Sequence, residues 1–226
     1  MIQHCHLKIA IQMIVMQNGA RIRPQYHESK SPNIKGIKAM FIQTEQTPNP
    51  ATLKFLPGKE VMGEEGTAYF SSTEKVAGRS SIADQLFGVE GVAAVFFGSD
   101  FITITKLADH DWYVMKPTIF GMIMNHFTSG DPVMVEASSM IGASTANDDD
   151  DEIVAKIKEL IDTRVRPAVA MDGGDIVFHG FEDGIVFLQM QGACAGCPSS
   201  TATLKMGIEN MLRHYIPEVV EVQAAF

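Results

Sequence analysis

Four consecutive aspartates, Asp148-Asp149-Asp150-Asp151, end a run of small and polar residues that begins at Thr128, and this run limits how the chain can be built. It reads as a flexible linker whose acid run is solvated, with an average reach of roughly 25–30 Å. Its last carboxylates also suit the positive end of the helix that follows. The chain therefore divides into an extension (1–40), a first domain (41–127), the linker (128–151) and a second domain (152–226). Hydrophobic residues make up 46% of the sequence and charged ones 20%, enough apolar material for each domain to own a core.

Charge separates the extension from the rest. Residues 1–40 carry six Lys and Arg against Glu28 alone, a charge of +5, whereas the remainder has 12 basic and 26 acidic residues, −14. So acidic a body repels nucleic acid, and no basic groove with stacking aromatics is present. No apolar run approaches the ~18 residues that span a bilayer, so no membrane partner is expected. The basic extension has two readings: a mitochondrial presequence, or a mis-assigned start with Met40 as the true initiator. Strand-like sequence begins at Phe41, which favours the second reading and a bacterial cytoplasmic protein. A mitochondrial matrix location is the alternative if residues 1–40 are a presequence.

Alternation and punctuation place the elements. Short strands are expected at 41–44, 52–56 and 67–70, with turn chemistry at Thr47-Pro48-Asn49-Pro50. A helix is expected over 80–87 behind a serine cap. Strands 92–97 and 101–105 flank Gly98-Ser99-Asp100, and Asp111 caps a helix toward Phe127 that Pro117 should kink or restart. In the second domain, Ile153, Ile157, Leu160 and Ile161 mark a helix that ends before Pro167. Asp172-Gly173-Gly174-Asp175 leads into strand 176–181, and Glu182-Asp183-Gly184 turns it into strand 185–190. A helix over 200–215, with Leu204, Ile208, Met211, Leu212 and Tyr215 inward, and a strand at 219–222 complete an α-β-β-α-β order. The fold class is thus α/β (α+β): two small mixed domains, the second with its helices on one face of its sheet.

Between the last hairpin strand and the last helix lies Cys194-Ala195-Gly196-Cys197, holding two of the three cysteines; the third, Cys5, is in the extension. Gly192 and Gly196 let the backbone bend tightly around a ligand. Pro198 suits a first helical turn, and Ser199, Ser200 and Thr201 supply hydroxyls there. The helix N-terminus should lower the thiol pKa values and favour an anionic cluster. Zinc or an iron–sulfur cluster needs about four ligands, so Cys194 and Cys197 suffice only if a second subunit repeats them. Four thiolates suit either metal, and ligand chemistry alone does not decide. A zinc-stapled homodimeric adaptor is one alternative. A thioredoxin-like dithiol is another, though that motif normally follows the first strand of a βαβ unit.

Met171-Asp172-Gly173-Gly174-Asp175 and Gly192-Ala193-Cys194-Ala195-Gly196-Cys197-Pro198-Ser199-Ser200, followed by Thr203-Leu204-Lys205, resemble the C-terminal NifU domain. Phe41-Ile42-Gln43-Thr44-Glu45, Pro48-Asn49-Pro50, Leu53-Lys54-Phe55 and Phe96-Phe97 with Asp100-Phe101-Ile102 resemble the N-terminal domain of Nfu-type proteins. The resemblance implies an iron–sulfur scaffold or carrier, not an enzyme. It implies a [4Fe–4S] cluster held between two subunits by Cys194 and Cys197 and delivered to apo-proteins, with upstream assembly proteins as further partners. The three-cysteine scaffold domain and the ferredoxin-like domain of long NifU proteins have no counterpart here, which favours carrying over de novo assembly. Ser81 stands where the family often has proline.

The remaining polar residues read more blandly. His126 is expected as a core or boundary residue, His179 and His214 at the surface, and Asp172 and Asp175 as shapers of the Gly-Gly turn. No Ser/His/Asp set, phosphate loop or paired-carboxylate spacing stands out.

Overall fold

The structure, a computed structural model, describes residues 41–76, 78–135, 152–196 and 198–225. In the first domain five strands form one antiparallel sheet: β1 (Gln43–Gln46), β2 (Thr52–Leu56), β3 (Ala68–Phe70), β4 (Val92–Phe97) and β5 (Ile102–Lys106), in the order β1-β2-β5-β4-β3. Strands β2 and β4 fall where alternation puts them. β1 starts two residues later than expected, leaving Phe41 exposed ahead of it. A one-turn helix, α1 (Thr73–Val76), had no signal in the sequence pattern.

Helices α2 (Ser81–Phe87) and α3 (Trp112–Ser129) cover one sheet face, where Leu53, Phe55, Val95, Phe97, Ile102 and Ile104 meet Ile82, Leu86, Ile119 and Ile123. Both helices start on the expected caps. Ser80 Oγ accepts from Ala83 N at 3.2 Å, and Asp111 Oδ1 accepts from Tyr113 N at 2.7 Å. α3 runs through Pro117 as one helix, so the chain does not restart there. That proline is exposed, and the carbonyl it leaves without a donor belongs to Tyr113, itself on the exposed side.

The segment after α3 does not leave the domain at once. Val133 O accepts from Ser80 Oγ at 2.6 Å, Val135 N donates to Arg79 O at 2.8 Å, and Val133 and Met134 pack on the core. Residues 128–135, expected as the first part of the linker, thus belong to the first domain, Thr128 and Ser129 as the end of α3. The rest of that stretch, 136–151, and the extension 1–40 lie outside the described residues.

The second domain opens with α4 (Glu152–Leu160), a π-helical turn (Ile161–Val165) and α5 (Arg166–Met171). The sequence places a stop before Pro167; the helix instead widens by one residue. Arg166 N bonds Ile161 O, five residues back, so the proline enters as the first turn of a fresh segment, where a missing N–H costs little. Strands β6 (Gly174–Glu182) and β7 (Ile185–Gly192) form a hairpin across Asp183-Gly184, both at positive φ (49° and 80°), as a two-residue turn requires.

After the cysteine loop, α6 (Pro198–Tyr215) returns the chain to β8 (Glu221–Ala224), which pairs in parallel with β7. Leu212 and Ile216 lie inward one turn apart, and Tyr215, expected on that stripe, is 38% exposed. The inward row follows i, i+4 spacing through 208, 212 and 216, so 215 falls on the flank.

The other face of the first sheet is buried too. Lys54, Ala94, Phe96 and Thr103 alternate with the core residues of their strands, yet all are buried. What covers this face is the second domain at its cysteine-bearing end. A Cβ placed on Gly192 would meet the Phe96 ring, and one on Gly173 would meet Thr103 and Lys54.

Candidate functional site

Register places the Gly-Gly turn beside the cysteine loop. Gly174 opens β6 and pairs with Gly192, the last residue of β7, so both segments share one end of the sheet. Ala193 N donates to Gly173 O (3.1 Å), Cys194 N to Gln191 O (3.3 Å) and Ala195 N to Gly192 O (3.1 Å), closing a tight turn. Gly192 and Gly196, at φ 61° and 79°, take the left-handed backbone that this turn needs. Thr201, in the first turn of α6, donates its hydroxyl to Cys194 O at 3.2 Å, anchoring the loop to the helix.

Cys194 projects toward Gly174. An ideal Cβ on Gly174 would lie 2.6 Å from Cys194 Sγ and 2.7 Å from Gln191 O, so only glycine leaves room for the sulfur. The sequence reading assigned the Gly-Gly pair to turn geometry. Gly173, at φ 84°, fits that role, but Gly174 is there for close approach. The signal was two adjacent glycines; their different duties appear only once β6 and β7 are paired.

The Cys194 thiol is pushed up to about 12, first by burial and then by the negative charges of Asp172 and Asp175. The lowering expected from the helix N-terminus is therefore not what this site shows. Loss of solvation and the two carboxylates both disfavour the thiolate there. A bound cation reverses such logic, since a coordinating thiol is deprotonated outright. Cys197 lies outside the described residues, as does Cys5.

Asp175 is 3% exposed and fully engaged. Its oxygens accept from Arg166 Nε (2.9 Å) and Nη2 (2.8 Å), Thr67 Oγ1 (2.8 Å) and Ile176 N (2.8 Å). The paired carboxylate raises the Arg166 pKa further above its ordinary value. Sequence reasoning missed Arg166, Thr67, Asn49 and Lys54. Asn49 Nδ2 donates to Ala195 O at 3.0 Å, between the two cysteines, and Lys54 Nζ donates to Met171 O at 3.2 Å at the end of α5. Thr67, Asn49 and Lys54 find their partners more than a hundred residues away in sequence, and Arg166 meets Asp175, nine residues on, only once α5 packs beside the start of β6.

The other candidates stay apart from the loop. His126 is buried in α3, and neither ring nitrogen has a protein partner. His179 is exposed beside Gln189, and exposed His214 meets Tyr215 edge to face at the far end of α6. Among the described residues, no group of three or more His, Cys, Asp or Glu is placed to hold a metal ion.

A two-domain chain that presents a CxxC loop between a hairpin and a helix has relatives. Residues 42–130 match the family described as Scaffold protein Nfu/NifU N terminal, and residues 157–223 match the NifU-like domain. The mitochondrial NFU1 iron-sulfur cluster scaffold homolog of Drosophila ananassae is 53% identical over 193 residues, 85% of this chain and 67% of that protein. The Homo sapiens protein of the same name is 53% identical over 188 residues, 83% of this chain and 72% of that one. NifU-like protein 4, mitochondrial, of Arabidopsis thaliana is 52% identical, covering 84% of this chain and 67% of that protein. The solution structure of a NifU-like protein from Saccharomyces cerevisiae is 27% identical, with a TM-score of 0.41, over 49% of this chain and 98% of that chain. The chain belongs to the Nfu family and carries both of its domains in order.

Proposed function

We propose that this protein is an iron–sulfur cluster carrier that holds a [4Fe–4S] cluster between two copies of itself, on Cys194 and Cys197 of each, and delivers it to apo-proteins. The observation behind the reading is the built loop: a cysteine at a glycine-lined turn, opposite a glycine that makes room for its sulfur. Family membership and the scaffold names of its relatives support it. The donor set fits such cargo, because two thiolates per chain complete a four-thiolate shell only in pairs.

Delivery is ligand exchange. Each iron–thiolate bond to Cys194 or Cys197 breaks as a recipient thiolate forms its own, and the recipient's thiol proton passes to the departing cysteine. No electron is transferred and no substrate bond is remade, so the role is carriage and not catalysis. The first domain serves as the docking part for partners, which include the recipients and the proteins that supply the cluster.

Location follows the relatives' names. The expectation of a bacterial cytoplasmic protein finds no support among them, and the mitochondrial alternative does, with the basic residues 1–40 as presequence. Among the described residues no helix is long and apolar enough to cross a membrane. Anaerobic reconstitution with iron and sulfide, followed by metal analysis, tests the carrier. About four irons and four sulfides per dimer are expected. Tightly held zinc that resists replacement would establish the adaptor in its place.

A further inference from the structure

Three side chains of the first domain reach the second at the cysteine end. Asn49, 3% exposed, donates to the carbonyl of Ala195, the residue after Cys194. Thr67 donates to Asp175 (2.8 Å), and Lys54 donates to Met171 O (3.2 Å) while its ammonium sits 4.5 Å from the Phe101 ring centroid. Phe96 lies against Gly192, where the loop begins. In this arrangement Cys194 is 6% exposed, packed in the second domain's own core, and among the described residues of the loop Gly196 is the exposed one. While the first domain holds Ala195 O and lies against Gly192, a second chain cannot approach the loop from that side.

Something must therefore move before a site shared by two copies can form, and the structure shows where movement disturbs least. The apolar residues sort into two clusters, one confined to residues of the first domain and one to residues of the second. Separating the domains breaks neither core. It breaks the polar contacts of Asn49, Thr67 and Lys54 and uncovers Phe96.

Building on the carrier reading, we propose that the first domain is a clasp on its own cysteine loop, closed in the arrangement described here, and that cluster loading releases it. The first domain then controls access to the loop in addition to any docking role. Every carbonyl and carboxylate that the clasp grips on the second domain lies within a few residues of the Gly-Gly turn or the cysteines. Contact and loading are thus mutually exclusive by position.

The test uses the full chain and two variants, Asn49→Ala and Thr67→Val, each checked for native secondary structure. Backbone ¹⁵N relaxation gives a separate tumbling time for each domain. In metal-free wild-type protein the two times should coincide. In the variants the two times should separate, and in the cluster-loaded dimer, whose second domains are joined, the first domain should tumble faster than the second. Each variant should load iron and sulfide about fivefold to tenfold faster than wild type, the factor one net hydrogen bond represents. The clasp is overturned if the loaded dimer keeps one common tumbling time, or if neither variant loads faster. If no protein takes up iron and sulfide, the carrier reading fails. The clasp is then judged on the metal-free proteins alone: coincident times in wild type and separated times in the variants uphold it, and any other result overturns it.

Discussion

Gly174→Ala is the sharpest probe of how this loop is built. The added methyl carbon would lie 2.6 Å from Cys194 Sγ, 2.7 Å from Gln191 O and 3.0 Å from Cys194 N. Favourable contacts between such atoms begin near 3.5 Å, so the overlap with sulfur is about 1 Å. Two of the three opposing atoms are backbone, and that backbone is tied down. Gly174 is paired with Gly192, and Ala193 N is bonded to Gly173 O. Overpacking of this kind costs about 1–3 kcal/mol, and the upper end applies where the neighbours cannot yield.

The expected result is a loss of about 2–3 kcal/mol from the second domain, with Cys194 displaced and cluster uptake reduced. Gly180→Ala is the control, since nothing lies within 4 Å of its Cβ position and its φ is not positive; a change within about 0.5 kcal/mol is expected. Urea unfolding followed by circular dichroism reads the stability. Fluorescence of Trp112, the only tryptophan, shows separately whether the first domain is affected. Equal stability of the two variants would refute the close-approach argument, whatever happened to cluster binding.

Arg166→Met leaves Asp175 buried without its two-pronged partner, and a loss of about 3 kcal/mol is expected by chemical denaturation. Burial in α3 lowers the His126 pKa below its ordinary 6.5, although the charge of Asp131 acts the other way. The unfolded chain therefore takes up this proton first, so stability is full above about pH 6.5 and falls as pH drops below it. His126→Phe should flatten that part of a melting-temperature profile, and an unchanged slope between pH 6.5 and 5 would refute the assignment. Cys194→Ser should abolish cluster and cluster-dependent association while leaving circular dichroism unchanged, and Cys5→Ser should do neither. Sedimentation should show metal-free monomer or weak dimer and loaded dimer, as mass action requires of a ligand that binds only the pair. A loaded monomer with a full cluster would sink the shared site.

Several features were determined by residues near one another in the chain. Alternation placed β2 and β4, Ser80 and Asp111 capped their helices, Asp183-Gly184 made its hairpin, and Gly192 and Gly196 marked the tight turn around Cys194. Each is a short-range effect, a matter of side-chain period, a cap reaching three residues or a backbone angle that glycine tolerates. Tertiary structure alone decided that Gly174 faces the Cys194 sulfur, that Pro167 sits inside a helix behind a π turn, and that Arg166, Asp175 and Thr67 meet. It also decided the fate of Lys54, Phe96 and Thr103, whose pattern reads as an outer sheet face and which are buried under a second domain. A sequence period reports which residues share a face of one element. What comes to lie against that face depends on how two cores dock, and no local pattern encodes it.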